Sequence, residues 1–238
     1  NKKILITGIN GFVGGNLASK LIKNKAKVFG LVRGSDHNSY LYYENIYKKC
    51  KIINGDLTNK DLLEKIIIEN KIQIVYHLAA QVEVGVALDN PYDTFETNIR
   101  GTYSLLQVLA KNKKYIKSII IASSDKAYGE YPKSKLPYKE TYDLRPKYPY
   151  DISKAAADLI SQWYSNLPNK LPLIVTRFAN IYGPGQLNFS ALIPDIIKSA
   201  LGYKNFIPRS DGKHKRDYLY IDDVIELYLN IARKLYKN

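Results

Sequence analysis

Cysteine is almost absent from this chain: Cys50 is the single one among 238 residues. One thiol cannot build an internal disulfide framework, nor the clustered thiolates of a cysteine-based metal site, and no metal is implied. A reducing cytoplasm is the expected location. Long hydrophobic runs are missing too. No stretch of about eighteen apolar residues occurs, so no membrane span is expected. The first residues enter a strand-like run (KKILITG) without the layout of a secretory leader. Acidic residues are scarce, with 22 Asp and Glu against 36 Lys and Arg, a net charge of +14. Most of the cations are lysines scattered along the chain. Apart from short runs such as KNKK at 111–114, no compact basic block with interleaved aromatics appears, so nucleic-acid binding is not expected. The surplus instead makes a positive field that favours capture of a small anionic ligand.

What is present is enough for a core: 45% of residues are hydrophobic and 12% aromatic, which excludes global disorder. The length suits one large domain or one and a half smaller ones. Strand-like runs at 3–7, 27–32, 50–54, 73–79, 118–123 and 171–178 alternate with helical patterns. Val13, Leu17 and Leu21 mark a helix at 11–23, and Thr58 opens another at 58–70. A long helix after Pro91 carries Phe95, Ile99, Tyr103, Leu106 and Leu109 on one stripe. The helix at 149–165 is expected to turn Ile152, Ala156, Leu159, Ile160 and Trp163 inward. This alternation predicts an α/β fold, a doubly wound parallel sheet of the Rossmann kind with helices on both faces. After residue 178 the composition shifts toward Gly, Pro, Asn and Phe, with helical stretches near 190–201 and 221–236. The expected division is a dinucleotide-binding domain over 1–177 and a smaller substrate-facing lobe over 178–238, interleaved in space.

The strongest local motif is TGINGFVGGNL, which spaces Gly8, Gly11 and Gly14 as G-x-x-G-x-x-G between a strand and a helix. Glycine permits the tight turn and lets backbone approach a pyrophosphate. The helix N-terminus then presents free N–H groups to the phosphates. Further on, Tyr150 and Lys154 form Y-x-x-x-K, which puts both side chains on one helix face. There a lysine ammonium can stabilise a tyrosinate and lower the phenol's pKa, making it a base for a hydroxyl proton.

The glycine spacing, NGDLTN at 54–59 and HLAA at 77–80 resemble the extended short-chain dehydrogenase/reductases, the NAD-dependent epimerase/dehydratase family. The resemblance covers the whole chain. It implies a tightly bound NAD or NADP held by Gly8, Asn10, Gly11, Phe12, Val13, Gly14, Asp56, Leu57, Leu78, Ala79, Ala80, Gln81 and Asn98, together with Tyr150 and Lys154. The choice of cofactor stays open: Arg33 could pair with a 2′-phosphate, and Asp36 could reach a ribose 2′-hydroxyl. In IIIASSDKAYG (119–129), Ser124 matches the family's substrate-binding Ser/Thr. The following Asp125-Lys126 pair resembles that of CDP-glucose 4,6-dehydratases, and plain 4-epimerases usually lack it. The pair implies Asp125 as acid at the C6 oxygen and Lys126 as base at C5.

In the same way RFANIYGPG and the later RSDG…RDYLYIDD segments imply Asn180, Asn188, Arg209 and Arg216 as contacts to a nucleotide-sugar. The reading is a nucleotide-sugar 4,6-dehydratase; a 4-epimerase or 4-reductase would need only Ser124, Tyr150 and Lys154. A non-catalytic cofactor-binding regulator is disfavoured by that intact set. Family members usually form homodimers through the helix after Pro91 and the helix bearing Tyr150. They also continue beyond the point where this chain stops, and the chain opens without methionine, so a fragment with an incomplete sugar site is expected.

Overall fold

Six short runs rich in Ile, Leu and Val lie side by side and parallel: β1 (Lys3–Thr7), β2 (Lys27–Val32), β3 (Lys51–Asn54), β4 (Ile74–His77), β5 (Ser118–Ala122) and β6 (Leu173–Thr176). Their order across the sheet is β3-β2-β1-β4-β5-β6, as in the doubly wound arrangement. The structure, a computed structural model, describes residues 1–34, 37–166, 168, 170–208, 210–213 and 215–237. Register is fixed by facing apolar positions such as Ile4 with Ile74 and Leu5 with Val75. Successive side chains on a strand point to opposite faces. Ile4 and Ile6 therefore enter one core, with Leu17, Val28 and Tyr76, while Leu5 enters another, with Ile67, Leu105 and Ile119. Both faces are covered, which is why the strands read as unbroken apolar runs.

Helices α1 (Phe12–Lys23), α2 (Tyr40–Tyr43), α3 (Lys60–Asn70), α4 (Val84–Asp89), α5 (Pro91–Phe95), α6 (Gly101–Lys111), α7 (Pro149–Ser165), α8 (Leu192–Ala200) and α9 (Ile221–Lys237) complete the chain, with a parallel two-stranded ribbon of β7 (Asn180–Tyr182) and β8 (Tyr218–Tyr220). Helix α9 buries Ile221, Val224, Ile225, Tyr228, Leu229 and Ala232 at three- and four-residue spacing. It packs with α1 on the Ile4–Ile6 face, so the last segment of the chain returns to the sheet.

Three details depart from expectation. Helix α3 starts at Lys60, and its N-cap is Asn59, whose side chain accepts from the Leu62 N–H; Thr58 instead donates to Asp56 through both N–H and hydroxyl at 2.7 Å. The helix after Pro91 is interrupted by a π turn at Glu96–Arg100, which shifts the buried face. Thr94, Asn98, Thr102, Leu105, Leu106 and Leu109 point inward, while Tyr103 of the expected stripe is exposed. Helix α7 is turned the other way about. Its buried face holds Asp151, Ser153, Lys154, Ala155, Ala157, Asp158 and Ser161, and Ile152, Leu159 and Trp163 are exposed. The polar groups can be buried because they have partners: Ser153 donates to Tyr150, Ser161 to Ala157, and Asp158 accepts from Arg177. Among the described residues no helix is long and apolar enough to cross a membrane.

Candidate active site

The sheet order reverses between β1 and β4, and a crevice opens there at the carboxyl ends of the strands. Gly8 leaves β1 with φ +73°, and a Cβ there would meet the Ala79 nitrogen at 2.7 Å. A Cβ on Gly14 would come within 2.2 Å of the Gly8 carbonyl oxygen. Glycine at these two positions thus lets the turn fold under the start of α1. The N-cap Gly11 offers no side chain, and no acidic residue occupies the first turn, so its N–H groups stay available to an anion. Gly8, Asn10, Gly11, Phe12, Val13 and Gly14 all line the resulting cleft of 760 Å³.

Arg33, Asp56 and Leu57 line its far end, and Leu78, Ala79 and Ala80 its floor. The Arg33 guanidinium is 3.9 Å from the Asp56 carboxylate. Hydrogen bonds from Thr58 hold Asp56 below the usual carboxylate range, and Arg33 adds to the effect. Gln81 and Asn98 stand behind the wall instead of on it. Asn98 accepts from the Gln81 N–H at 2.8 Å and donates to both the Gln81 carbonyl and the Ser153 hydroxyl at 2.9 Å, pinning the floor loop to α7. A second pin is buried His77, between the Thr7 and Thr102 hydroxyls at 2.8 and 2.9 Å. Burial, with the nearby Lys154 charge, pulls its pKa down to about 3, so the imidazole is neutral. The crevice, the glycine cradle and the open helix end together fit a nicotinamide dinucleotide.

At the other end of the cleft Ser124, Tyr150 and Lys154 converge on the lining. Ser124 ends the β5 loop, Tyr150 and Lys154 belong to α7. Burial pushes the Tyr150 phenol up to about 12, against the pull of a hydrogen bond with Ser124. The expected lowering is therefore not seen. The Lys154 ammonium donates to the Ala122 carbonyl, and the charges acting on the phenol are those of Asp125 and Asp151. Ser124 caps the 3₁₀ turn Asp125–Tyr128: its hydroxyl donates to the Asp125 carboxylate at 3.0 Å and accepts from the Lys126 N–H at 3.2 Å. Asp125 and Lys126 stand beside the cleft, each half-buried. The buried Asp151 next to Tyr150 feels both of their charges.

The substrate-side residues are more dispersed. Asn188 lines the cleft, where its side-chain oxygen accepts from Ser190. Asn180 lies off it, donating to the Asp217 carbonyl at 3.1 Å and so tying β7 to the approach of β8. Arg216 is exposed, and its charge reaches Tyr138. Arg209 and Asp36 lie outside the described residues. The sequence reading passed over Asp158, one turn beyond Lys154 on the same face of α7, and Arg177, just past β6. They form a bidentate pair at 2.7 and 3.0 Å. An acid four residues after Lys154 was the available signal.

Residues 4–238 match the family described as NAD dependent epimerase/dehydratase. The chain is 33% identical, over 98% of its length, to a trifunctional UDP-glucose 4,6-dehydratase/UDP-4-keto-6-deoxy-D-glucose 3,5-epimerase/UDP-4-keto-L-rhamnose-reductase of Arabidopsis thaliana. It spans 35% of that relative's length and 56% of a second curated relative's. Among solved structures it resembles a dTDP-glucose 4,6-dehydratase of Bacillus anthracis in complex with NAD, with 30% identity, a TM-score of 0.83 and coverage of 98% of this chain and 72% of that one. It resembles as well a UDP-glucose 4-epimerase of Thermotoga maritima bound to UDP-glucose, with 30% identity, a TM-score of 0.84 and coverage of 95% and 72%.

Proposed function

This chain belongs to the NAD dependent epimerase/dehydratase family, and from that membership we propose that it is the greater part of an NAD-using nucleotide-sugar 4,6-dehydratase. The observation that carries the reading is the Ser124 hydroxyl, which meets the Tyr150 phenol and the Asp125 carboxylate at the start of the turn that bears Lys126. One cluster thus holds groups for oxidation and for elimination. A 4-epimerase, the function of one structural relative, has no use for the second set.

The glycine turn and the first turn of α1 hold the pyrophosphate, Asp56 and Leu57 the adenosine end, and Ser124, Tyr150 and Lys154 the nicotinamide end. NAD is favoured over NADP because Arg33 is already beside the Asp56 carboxylate, whose charge opposes a 2′-phosphate. The cofactor's contribution is to accept a hydride from C4 and to give it back at C6. Tyr150 takes the proton of the C4 hydroxyl, with Ser124 fixing that hydroxyl and, through its hydrogen bond, opposing the rise that burial imposes on the phenol. The resulting C4 ketone acidifies the C5 proton. Lys126 removes that proton while Asp125 protonates the departing C6 hydroxyl, and water leaves. Hydride at C6 and a proton at C5 complete an NDP-4-keto-6-deoxyhexose. Asn188, Asn180, Arg209 and Arg216 serve the diphosphate and nucleotide, guanidinium being suited to bidentate phosphate contacts.

In this reading residues 178–220 form part of the substrate lobe, while α9 is its return to the dinucleotide domain. The protein acts as a cytoplasmic homodimer. Its support is the exposed apolar row Ile152, Leu159 and Trp163 on α7, with Tyr103 on α6. Each is about half exposed, so each forgoes roughly 0.5–1.5 kcal/mol, and a second copy's α6 and α7 would cover them as a four-helix contact.

The deciding experiment incubates the full-length protein with CDP-glucose, GDP-mannose, dTDP-glucose and UDP-sugars and reads products by mass spectrometry. Loss of one water from one of them is the expected outcome. Unchanged mass with inverted C4 stereochemistry establishes the epimerase instead.

A further inference from the structure

Arg177 has more partners than any pairwise ion bridge requires. Its Nε and Nη2 donate to the two carboxylate oxygens of Asp158 at 2.7 and 3.0 Å, and Asp158 is fully buried on the catalytic helix α7. Its Nη1 donates to the Tyr128 hydroxyl at 2.9 Å and to the Glu140 carbonyl at 3.2 Å. The guanidinium also lies over the Tyr128 ring, 4.8 Å from its centroid. Tyr128 is the last residue of the 3₁₀ turn that begins with Asp125 and Lys126. Its other face stacks on Tyr138 at 4.8 Å and 15°, and the Tyr138 hydroxyl donates to the Gly129 carbonyl at 2.9 Å. Beyond the turn, Gly129 (φ +68°) sits so near the Arg145 carbonyl that a Cβ would come within 1.9 Å of it. One guanidinium thus joins the helix carrying Tyr150 and Lys154 to the turn carrying Asp125 and Lys126.

We propose that Arg177 is a positioning residue, a rigid brace that keeps the elimination pair Asp125–Lys126 in register with the oxidation pair Tyr150–Lys154, so that both address one sugar ring. This deepens the dehydratase reading and rests on it. C4 oxidation uses groups held independently: Tyr150 by α7 itself and Ser124 by the β5 end. Elimination depends on where the turn sits relative to α7, and the brace links the last residue of the turn, Tyr128, to Asp158 of that helix. A planar, five-donor fork does this in a way that an ammonium cannot.

The test compares full-length wild type, Arg177→Lys and Tyr128→Phe on the nucleotide-sugar that wild type converts. Tyr128→Phe keeps the ring stack and removes only the hydroxyl. In both variants kcat for water loss falls by roughly tenfold to a hundredfold, the scale of a misplaced catalytic group, while KM stays within about twofold, since no substrate contact is removed. Reduced nicotinamide, followed at its near-ultraviolet absorbance, accumulates because oxidation outruns elimination. Unchanged kcat in Tyr128→Phe, or equal slowing of oxidation and elimination, overturns the brace. A wild type that inverts C4 without losing water overturns the dehydratase reading instead. The brace is then judged by hydrogen exchange: the amides of Lys126, Ala127 and Gly129 exchange about tenfold faster in Arg177→Lys while those of α7 hold. Equal protection in variant and wild type refutes it under any chemistry.

Discussion

The Lys154 ammonium donates to the Ala122 carbonyl at 2.5 Å, inside the wall between α7 and β5. Only 7% of the residue is exposed, and burial pulls its pKa down to about 8, against the opposing pull of Asp158. The unfolded chain therefore binds more protons than the folded one between about pH 8 and 10.5. Lys154 weakens the fold by its full amount below about pH 8, and the penalty fades as the pH rises through that window. A shift of this size is worth on the order of 3 kcal/mol. That is worth roughly 6–12 °C in a chain of this size; with the Ala122 carbonyl left unpaired taking back part of it, Lys154→Met should abolish turnover yet raise Tm at pH 7 by roughly 5 °C. Calorimetry at pH 7 and pH 10.5 checks this: the gain over wild type should largely vanish at the higher pH. No gain at pH 7 refutes the burial argument.

Removing the Lys126 amine leaves the dinucleotide cleft untouched, since Lys126 is not among its lining residues. Lys126→Ala should bind NAD with unchanged affinity by calorimetric titration and lose dehydration by about a hundredfold to ten-thousandfold, the usual worth of a general base. Undiminished water loss would remove Lys126 from the C5 step.

Gly14→Ala places a methyl group 2.2 Å from the Gly8 carbonyl oxygen and 2.8 Å from the Ile9 Cα. Both neighbours are backbone, so the turn itself must move. A cost of about 1–3 kcal/mol in stability is expected, with at least a roughly tenfold loss of NAD affinity as the N–H groups leave their alignment. Normal NAD affinity with a normal Tm would show that the cradle tolerates a side chain.

Leu159 is 57% exposed on α7. If the proposed homodimer forms through this face, Leu159→Glu should leave a monomer in light scattering while stability under dilute conditions changes by less than about 0.5 kcal/mol. An unaltered mass would place the dimer contact elsewhere.

The sheet was legible because buried parallel strands leave unbroken apolar runs, and five of the six expected runs needed only their ends trimmed or no change. The last, 171–178, shrank to Leu173–Thr176, although just outside those bounds the Pro172 and Phe178 carbonyls still accept from the N–H groups of Ile119 and Asp125. The glycine turn was equally legible, since it is a local pattern, whereas Ser124 beside Tyr150 was implied only by the family resemblance, the two residues lying in separate segments. Helix facing was not. In α7 Ile152, Leu159 and Trp163 face outward while Ile160 packs on the core, and the buried stripe holds Ser153, Lys154, Asp158 and Ser161, of which Lys154 and Asp158 depend on partners distant in sequence. No local pattern reports that Arg177 will arrive beside Asp158. The π turn at Glu96–Arg100 affects the other stripe for a related reason: it changes the period mid-helix, so Tyr103 turns out to solvent while Leu106 and Leu109 stay buried.

The ribbon of β7 and β8 has three residues per strand, with Ile181 facing Leu219 and both packed against the core under α1 and α9. It closes the stem of an excursion that leaves the catalytic floor at Tyr182 and rejoins it at Tyr218. Just above the stem the Pro184 carbonyl accepts from the Asn16 amide on α1, and Gln186 and Asn188 line the cleft, so the excursion is tied to the cofactor cradle at its base. Under the proposed function, the part of that segment beyond this tie can lengthen, shorten or exchange residues to suit a different nucleotide on the sugar while Ser124 and Tyr150 keep their separation. Divergence in substrate choice within such a scaffold is then cheap, because it needs no renegotiation of the chemistry.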